Sequence, residues 1–180
     1  ILILGANGMI GHSIFKYCSS KKIYQVFGTV RSKSINKNFI NKFSNNLILN
    51  VDLRVFEEIT NLLNQIKPNI IINCVGITKH VAKKNDYENS ILINSLLPHR
   101  LINTSKNYNT KLIQISTDCV FSGRKGFYNE NDIPDSHDIY GQTKALGEAL
   151  YERSLTIRTS TIGHELITSN GLLEWFLKQE

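Results

Sequence analysis

Cysteine, proline and methionine are scarce in this chain of 180 residues, with three, three and one of each. Cys18, Cys74 and Cys119 stand far apart without a CxxC or Cys/His spacing, which excludes a disulfide framework and a zinc site. No metal is expected, and Cys18 and Cys74 read as reduced packing residues. No apolar stretch is long enough to span a bilayer, and the opening run "ILIL" breaks at Gly5, too early for a signal peptide. There is no internal repeat and no low-complexity segment. A cytoplasmic location without a membrane partner is therefore expected. The net charge is +6, yet the lysines are scattered and not interleaved with a stacking aromatic stripe. Nucleic acid is thus not the expected partner, and a preference for anionic small molecules explains the charge equally well.

What the chain does have is a 41% hydrophobic content, enough for one sizeable core, and a regular alternation of segments. Short apolar runs occur at 1–4, 24–30, 47–49, 69–75, 111–116 and 155–158, as expected of strands buried on both faces. Helical-length segments lie between them at 9–20, 54–66, 87–107 and 140–151. The pattern predicts a doubly wound α/β fold with a parallel sheet, the Rossmann architecture. Pro68 closes one helix before the next strand, and Asp52 reads as the N-cap of the helix at 54–66. The loop 122–138 is the longest irregular connection, and long loops in compact domains are usually functional. Both ends read as cut from a longer protein: the chain opens inside a strand pattern and stops in the amphipathic segment "GLLEWFLKQE".

The first strand runs into "GANGMIG" and then a helix. Gly5, Gly8 and Gly11 supply a tight turn, close approach of main chain to a pyrophosphate, and close helix-to-strand packing. Gly5, Asn7, Gly8, Met9, Ile10 and Gly11 are accordingly expected to bind a dinucleotide, with a plain tight turn as the alternative. The second strand ends in Arg31, Ser32 and Lys33, where a cofactor lacking the 2′-phosphate would call for an acid. Basic residues there favour NADPH over NADH, the other reading being a solvated turn. Asp52 and Leu53 after strand three could meet the adenine, and Cys74, Val75 and Gly76 after strand four could line the pyrophosphate and ribose.

The fifth strand ends in "STDCVFSG", and "YGQTKALGE" follows the long loop. Tyr140 and Lys144 stand four apart and share a helix face, so with Thr117 they bring a hydroxyl, a phenol and an ammonium towards one crevice. Such a trio beside a nicotinamide makes a hydride-transfer site in which the phenol trades a proton with a carbonyl or alcohol. Thr117 is expected to hydrogen-bond the substrate oxygen. A catalytic Tyr140 must come roughly two to three units closer to neutrality, and Lys144 is expected to supply that shift.

With these motifs in hand, the chain resembles the extended short-chain dehydrogenase/reductase family, and within it the dTDP-4-dehydrorhamnose reductase group of nucleotide-sugar reductases. The resemblance rests on "GANGMIG", "NCVG", Asn94 in "LINSLLPHRL", "STDCVFSG", "YGQTKALGE" and "IRTSTIGHE". It implies Thr117, Tyr140 and Lys144 as catalytic residues, with Tyr140 and Lys144 also touching the cofactor and Asn94 supporting the geometry. It places Asp118, Val120 and Phe121 beside the sugar and the stretch 158–162 against the nicotinamide. It further implies a nucleotide-sugar substrate, a C-terminal substrate domain of which this chain holds at most the beginning, and a homodimer paired through the helices at 87–107 and 140–151 as a candidate assembly.

Two departures shape the expectation. The related 4,6-dehydratases carry Asp and Glu after the threonine, whereas Asp118 and Cys119 stand here, which disfavours dehydration because a thiol is a poor substitute for that carboxylate. The region "GITKHVAKKNDYEN" lacks the Val-Asp-x-Ala-Glu run of the rhamnose reductases, so the sugar stays open. Lys79 and His80 lie where a nucleotide diphosphate could pass, or are simply solvated. The resulting expectation is an NADPH-dependent reductase of a 4-keto nucleotide-deoxysugar for surface polysaccharide. A nucleotide-sugar epimerase holding NAD and a non-catalytic NADPH-binding regulatory subunit are the alternatives.

Overall fold

Successive residues of a strand point to opposite faces, so an unbroken apolar run needs cover on both sides. In a computed structural model of the chain that cover is present. The structure describes residues 1–32, 37–79, 86–166 and 171–179. Its strands are β1 (Leu2–Leu4), β2 (Phe27–Val30), β3 (Leu47–Leu49), β4 (Ile70–Asn73), β5 (Lys111–Ser116) and β6 (Ser154–Arg158). They form one parallel sheet in the order β3-β2-β1-β4-β5-β6. The order reverses beside β1, and in open sheets of this kind ligands bind outside the carboxyl ends of the strands near that switch point.

Helices α1 (Met9–Ser19) and α2 (Lys37–Lys42) cover one face, where Ile3 packs with Phe15, Val30 and Phe39. Helix α3 (Phe56–Ile66) and a long helical stretch cover the other, where Leu2 and Leu4 meet Ile59, Leu63, Leu97 and Leu101. That stretch begins as α4 (Tyr87–Ser90), widens into a π-helical segment (Ile91–Leu96) and continues as α5 (Leu97–Ser105). Each large apolar side chain buried here contributes on the order of 2 kcal/mol. Helix α6 (Ile139–Leu146) carries Tyr140 and Lys144, and α7 (Leu172–Leu177) lies near the chain end.

Several borders differ from expectation for identifiable reasons. Helix α3 starts at Phe56 with Val55 as its cap, so Asp52 does not cap it. The Asp52 carboxylate instead accepts from the Arg54 amide (3.0 Å) and guanidinium, closing a turn before the helix. Strand β4 stops at Asn73, whose side chain turns the backbone by accepting the Val75 amide (3.1 Å) and ties to Gln114 of β5 (2.8 Å). Helix α6 ends before Gly147 rather than at 151. A β-carbon at Gly147 would overlap the Asn94 carbonyl oxygen, so α6 and the π-helical segment cross where only glycine fits. Helix α2 was not foreseen; it is short and polar, and its one buried residue, Phe39, joins an aromatic cluster with Phe15 and Phe43.

Candidate functional site

At the carboxyl ends of β1 to β4 lies a cleft of about 230 Å³. Of the residues expected to bind a dinucleotide, Gly5, Asn7, Gly8, Arg31, Asp52, Leu53, Cys74, Val75 and Gly76 line it. Thr29, Val51, Arg54, Ile77 and Ile93 line it too, without having stood out in the sequence. Gly5 holds φ +76°, its amide donates to Thr29 Oγ1 (3.3 Å), and a β-carbon at Gly11 would overlap its carbonyl oxygen. The first turn of α1 is thereby seated directly on the glycine turn. Gly8 caps α1 without a side chain, so the helix N-terminus bearing Met9 and Ile10 is left open to an anion. Lys33 and His80 lie outside the described residues, and Ser32 and Arg31 are exposed at the rim.

Asp52 stands in the cleft wall, and the Arg54 hydrogen bond holds its carboxyl below the usual range, with Arg31 acting in the same direction. Cys74 is inert by contrast, because burial pushes its thiol up to about 12.

The adjoining half of the crevice is built by side chains. Thr117 follows β5 with its side chain buried. Its hydroxyl caps the turn Asp118–Val120 by accepting the Cys119 amide (3.2 Å) and donates to Asp118 Oδ1 (3.2 Å). Tyr140 sits in the first turn of α6, half-buried. Asp138 fixes that turn: Oδ1 accepts the Gly141 amide (2.8 Å) and Oδ2 pairs with Lys79 (2.8 Å). An Asp three residues ahead of Gly141, at the start of the helix, is a cap signature that could have revealed this anchor.

Lys144 lies one turn further, 5% exposed, and donates to the Ile115 carbonyl (2.7 Å). Burial lowers its ammonium to about 8, while Glu148 and Cys74 oppose the shift. The expected effect on the phenol does not hold. Burial is the main force on Tyr140 and raises it above its ordinary value; the Thr117 hydrogen bond opposes this, and Asp118 and Asp138 add to it. The reason is geometric: Lys144 points its donor at a β5 carbonyl, while two carboxylates face the phenol.

Asn94 does not line the cleft. It is buried, its Oδ1 accepts the Ile77 amide (2.8 Å), and its Nδ2 donates to the Ile77 carbonyl (3.0 Å) and Thr143 Oγ1 (3.1 Å). It therefore ties the β4 end to α6 from within the π-helical segment, a deformation common at functional sites. Val120 corrects another expectation: it is fully buried, so its side chain cannot meet a sugar, and its carbonyl instead accepts the amides of Asp135 and Ser136. Phe121 is partly exposed, stacked on Tyr128 at 4.3 Å and covered by the Arg158 guanidinium at 4.9 Å. Arg158 in turn forms a two-pronged pair with Glu148 (2.8 and 2.7 Å), which also accepts from Ser116 (2.9 Å). This pairing could not be read from residues ten positions apart across a loop.

Residues 1–177 match the family model described as RmlD substrate binding domain. The chain belongs to that family. Its sequence is 29% identical over 165 residues to a dTDP-4-dehydrorhamnose reductase of Aggregatibacter actinomycetemcomitans, covering 89% of this chain and 50% of the relative. It is 26% identical over 159 residues to the methionine adenosyltransferase 2 subunit beta of Rattus norvegicus, covering 86% and 43%. A solved dTDP-4-dehydrorhamnose reductase of Bacillus anthracis in complex with NADP superposes with a TM-score of 0.71 at 25% identity, covering 91% of this chain and 55% of that one. This RmlD family chain thus spans about half the length of the curated relatives it matches. No helix among its described residues is long and apolar enough to cross a membrane.

Proposed function

We propose that the chain forms the cofactor-binding part of an NADPH-dependent reductase acting on a 4-keto nucleotide-deoxysugar, in the supply of precursors for surface polysaccharide. The observation that carries this reading is the placing of Tyr140 and Lys144 on α6 against Thr117 at the end of β5, where Lys144 is hydrogen-bonded to the Ile115 carbonyl, beside the glycine-turn cleft. The cleft suits a dinucleotide: it leaves no room for a β-carbon at Gly11 and opens a helix N-terminus without a capping side chain. Gly5, Asn7, Gly8 and the start of α1 would hold the pyrophosphate, with Arg31 at the 2′-phosphate and NADH as the less favoured form. When bound, the nicotinamide supplies a hydride.

The chain's own residues handle the proton. Tyr140, raised by burial, stays protonated at neutral pH and can donate to a carbonyl oxygen that enters the mouth of the crevice. Thr117 can hydrogen-bond the same oxygen, and Asp138 with Lys79 fixes the helix turn that presents the phenol. Lys144, lowered towards neutrality, can exchange a proton at physiological pH while braced on β5. The test mixes purified full-length protein with NADPH and dTDP-4-dehydrorhamnose and follows absorbance of the reduced cofactor. Turnover lost in Tyr140→Phe is expected, and no consumption above that control would refute the reading.

The similarity to a protein named as a subunit of methionine adenosyltransferase favours a second reading, a cofactor-binding subunit without chemistry of its own. NADPH binding without turnover on any 4-keto nucleotide sugar would select it. An epimerase would instead copurify with NAD and show no net consumption.

A further inference from the structure

Strands β2 and β3 end side by side, the Val51 amide donating to the Val30 carbonyl at 3.1 Å. Arg31 and Asp52, the residues that follow, therefore leave the sheet together, and both line the cleft. An unpaired carboxylate near the adenosine ribose opposes a 2′-phosphate, which is why acids there accompany NAD. Here the carboxylate is occupied. Arg54, also in the cleft wall, donates from its amide to Asp52 Oδ1 (3.0 Å), from Nε to both carboxylate oxygens (2.9 and 3.0 Å) and from Nη2 to Oδ2. We propose that Arg54 is a specificity-determining residue of the cofactor site: by pairing with Asp52 it cancels the acid beside Arg31 and so admits the 2′-phosphate of NADPH there. The proposal rests on the NADPH reading of the cleft.

The surroundings hold the pair in place. Glu58 on α3 accepts the Asp52 amide at 2.6 Å, which ties down the main chain at the start of the turn. On the far side Arg54 Nη1 makes a long contact of 3.5 Å with Asn89 Oδ1, and Asn89 Nδ2 donates to Asp86 Oδ1 at 2.7 Å. The guanidinium thus stands between the exit of β3 and α4. Among the described residues that line the cleft, two guanidinium groups face one carboxylate, so this end is positive. Without Arg54, the charges of Arg31 and Asp52 would cancel, and the attraction for a phosphate would go with them. The pair is partly exposed, and screening by water keeps the effect to a few-fold change in affinity.

A purely structural part for Arg54, closing the turn before α3, would behave differently. Removing Asp52 as well could not repair a lost turn. It does repair a charge balance, because the double variant again presents Arg31 without an opposing acid beside it.

The experiment titrates full-length wild type, Arg54→Met, Arg54→Lys, Asp52→Asn and the Arg54→Met/Asp52→Asn pair with NADPH and with NADH at low salt. Cofactor fluorescence is followed, and the ratio of the two Kd values is the readout. The wild type should prefer NADPH. Arg54→Met should cut that preference about fivefold, Arg54→Lys should keep it, and the pair should return to within about twofold of wild type. Asp52→Asn alone tests the same balance with Arg54 left in place, and should raise the preference about threefold. A wild-type preference that Arg54→Met leaves unmoved, a pair no better than Arg54→Met, or an Asp52→Asn preference that does not rise overturns the proposal while the NADPH reading stands. A wild type that binds neither cofactor, or shows no preference for NADPH, overturns that reading and the proposal with it.

Discussion

The carboxyl ends of β1 to β3 and those of β4 to β6 border one crevice, but the first half shapes it with main chain and the second with side chains. In the first, Gly5 and Gly11 press α1 onto the turn after β1, and the wall is backbone plus a few side chains such as Thr29 and Arg31. In the second, nearly every functional group is held by another: Thr117 by Asp118, Asp118 by Ser160, Tyr140 by its capped turn, Lys144 by the Ile115 carbonyl. A main-chain cradle suits a part of a ligand that does not react. A side-chain network can set proton positions, which main chain cannot.

The contrast can be broken most forcefully in the first half. Gly11→Ala should destabilise the protein by about 3 kcal/mol or more, because the colliding atom is a backbone carbonyl that cannot step aside. Denaturant midpoints at constant slope would measure it, and a loss under about 1 kcal/mol would mean that helix and turn are not locked together.

In the second half the largest effect should be electrostatic. Lys144 titrates at about 8 in the folded chain against an ordinary value of 10.5. Between these values the unfolded chain binds more protons, so this residue's contribution to stability rises with pH across that window, by about 3 kcal/mol in all. The stability of wild type relative to Lys144→Met should therefore improve from pH 8 towards pH 10.5. A flat difference would show that the ammonium is not desolvated.

Smaller again is the effect at the rim. Arg31→Leu should weaken NADPH about tenfold and leave NADH unchanged, as read by cofactor fluorescence titration. Equal weakening of both would remove Arg31 as the 2′-phosphate reader.

The same division explains what could be read in advance. The parallel sheet and the glycine-turn cleft were legible because they follow from local patterns, apolar runs of strand length and glycines at a fixed spacing. The place of Arg31 in the cleft wall was legible for the same reason, since it follows the end of β2 directly. The side-chain half was legible only in its members. That Thr117 and Tyr140 would stand at the carboxyl end of β5 followed from strand order, but the direction of the Lys144 donor did not, nor did the rise in the Tyr140 phenol caused by burial and two carboxylates. Val120 was misread because its neighbours Cys119 and Phe121 are partly exposed while its own side chain packs inward. Asp52 was misread as a helix cap because Arg54, two residues on, takes its carboxylate before the helix begins. Asn94 drew notice by its motif, yet its bonds to Ile77 and Thr143 required the long-range crossing of α6 with the π-helical segment.

The most direct test of the central claim, that the hydroxyls of Thr117 and Tyr140 act on one oxygen as a unit, is a double-mutant cycle on kcat for NADPH oxidation with dTDP-4-dehydrorhamnose. Tyr140→Phe alone should lower kcat by at least about a hundredfold, and adding Thr117→Val to it should cost almost nothing more. Full additivity of the two losses would contradict the account.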